Sequence, residues 1–171
     1  MPVSSLTHRH LFAKKEVQIT TFGTIGRIEL NMRICVIDGQ GGGIGSVIIK
    51  KLKEVFEESV EIIALGTNGI ATAQMLKAKA NRGASGENAI VHTVADADII
   101  IGPLAIVLAH AMMGEVTPRI AEAVAASRAK KFLIPLTQEK VEIVGMSSTP
   151  LPPLIETLIE KHLKESIEKD V

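Results

Sequence analysis

The sequence predicts an α/β protein whose mostly parallel sheet is covered by helices on both faces. Three observations carry this expectation. From Met32 onward, short aliphatic runs alternate with amphipathic stretches. The runs RICVID, EIIAL and DIIIGP are apolar nearly throughout, as strands buried on both faces are, instead of alternating polar with apolar. A glycine-rich turn, GQGGGIG, joins the first run to the first amphipathic stretch. With 171 residues, 46% of them hydrophobic, the chain is long enough for one domain with a real core. That core must be aliphatic, because there are 4 Phe and neither Trp nor Tyr.

Residues 1–31 stand apart. HRH and KK lie among Ser, Thr and Gly, and only EVQITTFGTIGRIEL shows strand-like alternation. We read them as an extension, with Met32 as a natural start in one reading and a genuine arm adding a strand or hairpin in the other. Residues 32–171 form the single domain. Strand 33–38 is followed by a helix from about Ile44 to Glu58, whose Ile48, Leu52, Val55 and Phe56 share one face. Strand 61–65 leads through Gly66, Thr67 and Asn68 into an alanine-rich helix that Gly83 is expected to cap. In SGENAIVHTV, Ser85 caps a short helix, although AIVHTV also fits a strand. DIIIGP is a buried strand ended by Gly-Pro.

LAIVLAHAMM is apolar on all sides and reads as a helix covered on every face. In a chain this small, the 104–113 segment then predicts a homo-oligomer interface, in the simplest case a homodimer. Thr117-Pro118 caps the next helix. KFLIPL and VEIVGM, separated only by residues 137–140, predict a hairpin whose last strand lies antiparallel at the sheet's edge. PLPP opens a final helix with Ile155, Ile159, Leu163 and Ile167 every four residues.

Lys plus Arg and Asp plus Glu number 19 each, so no global field draws nucleic acid or an anionic membrane, and the expected ligand is a small molecule. No apolar run approaches the roughly 18 residues of a membrane helix. One cysteine, Cys35, excludes an intramolecular disulfide and a multi-cysteine metal cluster, and fits a cytoplasmic protein. No histidines or carboxylates have the spacing of a zinc site, so no metal is expected.

The strand-to-helix turn 39–45 lies where the exposed amides and dipole of a helix N-terminus favour phosphate. Its spacing is Gly39-x-x-x-Gly43-Ile44-Gly45, with Gln40, Gly41 and Gly42 between. That resembles the loop of the short-chain dehydrogenase/reductase superfamily, which holds the pyrophosphate of a nicotinamide dinucleotide. The resemblance implies NAD(P) or another nucleotide as cofactor. It ends there, because the superfamily's catalytic Tyr-x-x-x-Lys pair is impossible in a chain without tyrosine. Asp38 precedes the loop, where two unit charges about 5 Å apart at an effective dielectric near 20 repel by roughly 3 kcal/mol. A helix terminus returns only about 0.3–1 kcal/mol. Either the Asp38 carboxylate turns into the loop and accepts backbone N–H groups, or a divalent cation bridges it to the ligand, or the ligand is not anionic there; the first is expected, as Asp-Gly turns commonly bond their own backbone.

The segments VIDGQGGGIG, IIALGTNGIATAQMLKA, GASGENAIV, IIIGP, GEVTP and VEIVG resemble a small bacterial family of uncharacterised Rossmann-like proteins, a domain of unknown function. The fold this implies is a Rossmann-like three-layer sandwich, with the parallel sheet and antiparallel edge strand read above. No activity comes with the resemblance.

Ligands of such sheets bind beyond the carboxyl ends of the strands. The expected site comprises the 39–45 amides on phosphate, Thr67 and Asn68 after Gly66 on ribose or base, and Gly102 and Pro103 as the opposite wall. Whether the protein converts its ligand is open: sensing or carrying stands beside an enzyme with Asp38, His92 or Glu115 as acid-base groups, and beside an oligomeric scaffold whose glycines are purely structural. Cys35 and His110 read as buried residues, and burial is also the bland reading of His92. His162 reads as solvent-facing.

Overall fold

The computed structural model describes residues 15–21, 24–30, 32–136 and 139–169. The expectations for residues 1–14 and for the hairpin tip at 137–138 lie outside them. Lys15–Thr21 (β1) and Thr24–Leu30 (β2) pair antiparallel, Val17 opposite Ile28, as a two-stranded sheet of their own.

The main sheet has five strands: Met32–Asp38 (β3), Val60–Gly66 (β4), Arg82–Ser85 (β5), Ile99–Pro103 (β6) and Lys130–Ile134 (β7). They lie in the order β5-β4-β3-β6-β7, and every pair is parallel. Counted within this sheet, the order is the 3-2-1-4-5 of doubly wound nucleotide-binding sheets, with the switch of direction between β3 and β6. The helices are Gly43–Phe56 (α1), Gly69–Lys77 (α2), Glu87–Thr93 (α3), Pro118–Ala126 (α4), Leu151–Thr157 (α5) and Lys164–Lys169 (α6). A wide π-helical turn, Leu158–Leu163, joins the last two.

Successive strand residues face opposite ways, which divides the core in two. Ile34, Val36, Ile62, Ala64 and Ile101 pack with Ile48, Leu52 and Phe56 of α1, Met75 of α2, and Ile155, Ile159 and Leu163 of the C-terminal helix. Cys35, Ile37, Ile63, Leu65 and Ile100 pack with Ile90 of α3 and with Ile106, Ile120 and Val124 after β6. Each such aliphatic side chain contributes about 1.5–3 kcal/mol when fully buried. Two buried faces are why the strands read as unbroken apolar runs. The registers align Asp38 with Gly66, so β3 and β4 end level, and Gly102 and Pro103 end β6 on the other side of β3.

Three expectations need correction. No antiparallel strand borders the sheet: among the described residues, 139–149 form no strand, and Val141, Ile143, Val144 and Met146 are exposed. Pro135 follows β7 directly, and the Glu139 carboxylate accepts the Met112 N–H at 2.8 Å, which ties the chain to the 108–116 segment instead of letting it run back beside β7. The 104–113 segment is not a helix either. A 3-10 turn at Leu104–Val107 gives way to tight turns, because His110, Met112 and Met113 adopt positive φ. Its Ala105, Ile106, Ala111 and Met112 are buried in this chain's own core, so the all-apolar helix from which an oligomer interface was inferred does not exist. Finally, α2 ends at Lys77, and Gly83 lies inside β5 instead of capping it.

Candidate functional site

The 39–45 turn is shaped by two carboxylates of the protein itself. Asp38, only 4% exposed, ends β3 and turns back: Oδ1 accepts the Gly39 N–H at 2.8 Å and Oδ2 the Gly45 N–H at 2.7 Å. The expected Asx-type bonding is present and it fills the start of α1 with an internal anion. Burial pushes the Asp38 carboxyl above its ordinary value, against the lowering effect of the Gly45, Gly39 and Ile44 N–H groups, and the nearby Glu115 charge pushes the same way.

Glu115 arrives from the segment after β6. Its Oε2 accepts three donors: the Gln40 N–H at 2.8 Å, the Thr67 hydroxyl at 2.5 Å and the Asn68 side-chain amide at 2.9 Å. Partial burial raises the pKa of Glu115, but the bonds from Thr67, Gln40 and Asn68 outweigh it and hold the carboxyl below its ordinary range. Asn68 also caps α2, accepting the Ala71 N–H at 2.9 Å, and donates to the Gln40 carbonyl at 3.0 Å. The loops after β3, β4 and β6 thus meet at one side chain.

The glycines divide into two groups. A Cβ on Gly39 would meet Thr67 Oγ1 at 2.6 Å and Glu115 Oε2 at 2.9 Å, and one on Gly45 would meet the Asp38 Cβ at 2.9 Å. Gly42 has φ +69° and lies against the Ala71 backbone, 2.7 Å from where a Cβ would be. Packing accounts for these three, as it does for Gly66, against Asn68 and Thr72, and Gly102, against Ile106. Gly41 and Gly43 differ: both are exposed, a Cβ on either would meet nothing within 4 Å, and neither has positive φ. Their N–H groups meet no acceptor among the described residues.

Beside this turn, at the switch between β3 and β6, lies a cavity of about 260 Å³ lined by Asp38, Gln40, Ile44, Pro103, Ala105, Met112, Leu136 and Glu139. Asp38, Gln40, Ile44 and Pro103 were expected there. Met112 and Glu139 were not foreseen, because only the turns of 108–116 and the Glu139 tie bring them over the carboxyl edge. Glu139 stands in the polar TQEK that follows Pro135 and Leu136, and a lone carboxylate there is a weak sequence signal for such a contact.

The other candidates lie elsewhere. His92 and His110 are both exposed, so neither is the buried residue expected, and His92 makes no hydrogen bond to Asp38 or Glu115. His162 is exposed, as expected. Cys35 is buried, and desolvation pushes its thiol to about 12, so it is no nucleophile. Glu87 accepts the Thr117 hydroxyl at 2.6 Å and faces Arg119, which ties α3 to α4. Among the described residues no cluster of three or more His, Cys, Asp or Glu is placed to hold a metal ion, and no helix is long and apolar enough to cross a membrane.

A family model described as a domain of unknown function, DUF3842, matches residues 33–167. No curated protein matches significantly.

Proposed function

We propose, for a chain that belongs to the DUF3842 family of domains of unknown function, that the crevice between β3 and β6 binds a small phosphate-bearing ligand of the nucleotide class. On this reading the protein is a cytoplasmic sensor or carrier with a Rossmann-like three-layer sandwich. Gly41 and Gly43 carry the argument. They are exposed glycines that neither packing nor backbone angle requires, at the start of a 14-residue helix, and their N–H groups meet no acceptor among the described residues. Glycine at a position where alanine fits without strain sacrifices about 0.4–1 kcal/mol, chiefly through the entropy of the unfolded chain. Close approach of a ligand gives that sacrifice a use.

The same observation disfavours a scaffold with purely structural glycines. The phosphate goes to Gly41 and Gly43, because Asp38 already uses Gly39 and Gly45. At about 260 Å³, the cavity falls below the range of about 300–1,000 Å³ usual for ligand pockets, which favours a mononucleotide-sized group over an enclosed dinucleotide. Thr67 and Asn68 border the rest of the ligand, with Gly102-Pro103 as the far wall. A homodimer is left out of the proposal, since the 104–113 segment offers no exposed apolar helix.

The test is a thermal-shift screen of the full chain against NAD(H), NADP(H), FAD, FMN, adenine and guanine nucleotides and S-adenosylmethionine, with and without magnesium. A ligand at 100 times its dissociation constant stabilises by about 2.7 kcal/mol, a shift of several degrees. A hit that vanishes in Gly41→Ala supports the reading. A panel without hits removes it.

A second reading rests on the opposite displacements of Asp38 and Glu115, one carboxyl raised and one lowered around the same turn. Such a divided pair suits an acid and a base acting on a small phosphorylated or carboxylated metabolite. A stabilising ligand that disappears on incubation with wild type and persists with Asp38→Asn is the outcome that favours it.

A further inference from the structure

Glu115 Oε2 is the point on which donors from two separate loops converge, and nothing about a surface glutamate demands three of them. The Gln40 N–H, the Thr67 hydroxyl and the Asn68 amide come from the turns after β3 and β4, yet all meet the same oxygen. Three donors on one atom complement an anionic oxygen; a neutral hydroxyl brings its own proton and accepts fewer bonds.

The segment that delivers Glu115 is also unusual. His110, Met112 and Met113 have φ of +67°, +55° and +58°, followed by Gly114 at +91°. Positive φ disfavours side-chain-bearing residues, and runs of it persist only where surrounding contacts hold them. The contacts here are backbone bonds within the segment, such as the His110 N–H to the Val116 carbonyl, the buried Ala111, Met112 and Val116, the three bonds of Glu115 and the Met112–Glu139 tie. Met112, on the same segment, also walls the small cavity beside Asp38.

We propose that the Gln40, Thr67 and Asn68 donors form a binding subsite for an anionic oxygen, carboxylate or phosphoryl, and that Glu115 occupies it until a ligand displaces it. The inference rests on the reading of this crevice as the ligand site and adds the chemistry of a second contact. Displacing Glu115 frees the Gln40, Thr67 and Asn68 donors for the ligand, while the backbone bonds and the buried Ala111, Met112 and Val116 hold the rest of the 108–116 segment in place. The ligand therefore carries an anionic group besides the one at Gly41 and Gly43, or one phosphate chain long enough to reach both.

The test uses the full chain with inorganic phosphate and acetate as probes, at constant ionic strength. The Gln40 amide is followed by ¹H–¹⁵N NMR in wild type, Glu115→Gln and Glu115→Ala. Removing the internal competitor is expected to tighten saturable binding of one probe at Gln40 by about 10-fold or more, the worth of one charge-assisted contact. Glu115→Gln should lie between, and Thr67→Val added to Glu115→Ala should abolish the response. Phosphate answering without acetate marks a phosphoryl ligand, and acetate without phosphate a carboxylate. Equal affinity in wild type and Glu115→Ala, weaker binding in Glu115→Ala, or no saturable response at Gln40 overturns the proposal. A nucleotide panel without hits beside a normal Gln40 response would overturn the nucleotide reading alone, and a nucleotide hit beside a silent Gln40 would overturn the subsite alone.

Discussion

Asp38 and Glu115 flank one turn, and their titrations act on stability in opposite senses. Burial raises the Asp38 carboxyl above 3.8, so between that value and its folded pKa the native state holds a proton that the unfolded chain has lost. Stability from this group therefore falls as pH rises through the window. Glu115 is lowered from 4.5, so its contribution is present above that value and is lost as pH falls through the folded pKa. Asn at position 38 cannot titrate and must turn its NH2 toward either Gly39 or Gly45, leaving a buried donor without an acceptor, at about 1–3 kcal/mol. Urea midpoints from pH 4 to 7 should show wild type more stable than Asp38→Asn, with the gap narrowing as pH rises. A gap that widens would mean that the N–H bonds outweigh burial. At Gly41 and Gly43, alanine should leave the midpoint unchanged or raise it by up to about 1 kcal/mol, whereas Gly42→Ala, pressed on the Ala71 backbone at positive φ, should lower it by more than that. Asp38 was legible because its bonds lie within seven residues along the chain. Glu115 was legible only as a charged residue in a turn, since its Thr67 partner stands 48 positions away and nothing local encodes the meeting.

At the scale of elements, legibility followed periodicity. The buried strands and the amphipathic α1 and α4 could be read because one face of each is apolar at a defined spacing, and Thr117 caps α4 through the Ile120 N–H as its Thr-Pro signal implies. LAIVLAHAMM has no such spacing: an apolar run without a polar face is equally a helix or a packed series of turns, and the positive φ at His110, Met112 and Met113 is not written in their side chains. Gly83 misled for a related reason. It serves close approach, because a Cβ there would meet Leu76 Cγ at 2.9 Å where α2 crosses β5, and a sequence cannot distinguish that use from capping. The strained turn invites a direct measurement. Met113 is 94% exposed at φ +58°, so its side chain contributes little packing while its backbone pays for a left-handed angle. Met113→Gly should be neutral to about 1 kcal/mol stabilising in chemical denaturation, against the loss of about 0.5–1 kcal/mol that glycine causes at an ordinary exposed helix position. A clear loss at Met113 would show that the turn is not under backbone strain.

For the molecule as a whole, the sheet order brings the ends of β3, β4 and β6 to one edge, and every contact proposed above lies there. The parallel order was foreshadowed by strand-helix alternation, but not the absence of an antiparallel edge. VEIVGM carries strand-like residues, yet Val144 is 96% exposed, because Pro135 and the Glu139 tie lead the chain away from β7. The same view bears on residues 1–31. The family match begins at Arg33, and β1 and β2 make a sheet of their own. A chain starting at Met32 should therefore unfold in a single cooperative transition, with a thermal midpoint within about 3 °C of the full chain. For a domain of this size, that difference corresponds to roughly 1 kcal/mol. Calorimetry of the two forms decides it: a larger drop, or loss of cooperativity, would mean that the arm contributes to the fold of the main sheet. If the midpoints agree, the crevice and its two carboxylates belong entirely to residues 32–171, and ligand screens can be run on either form.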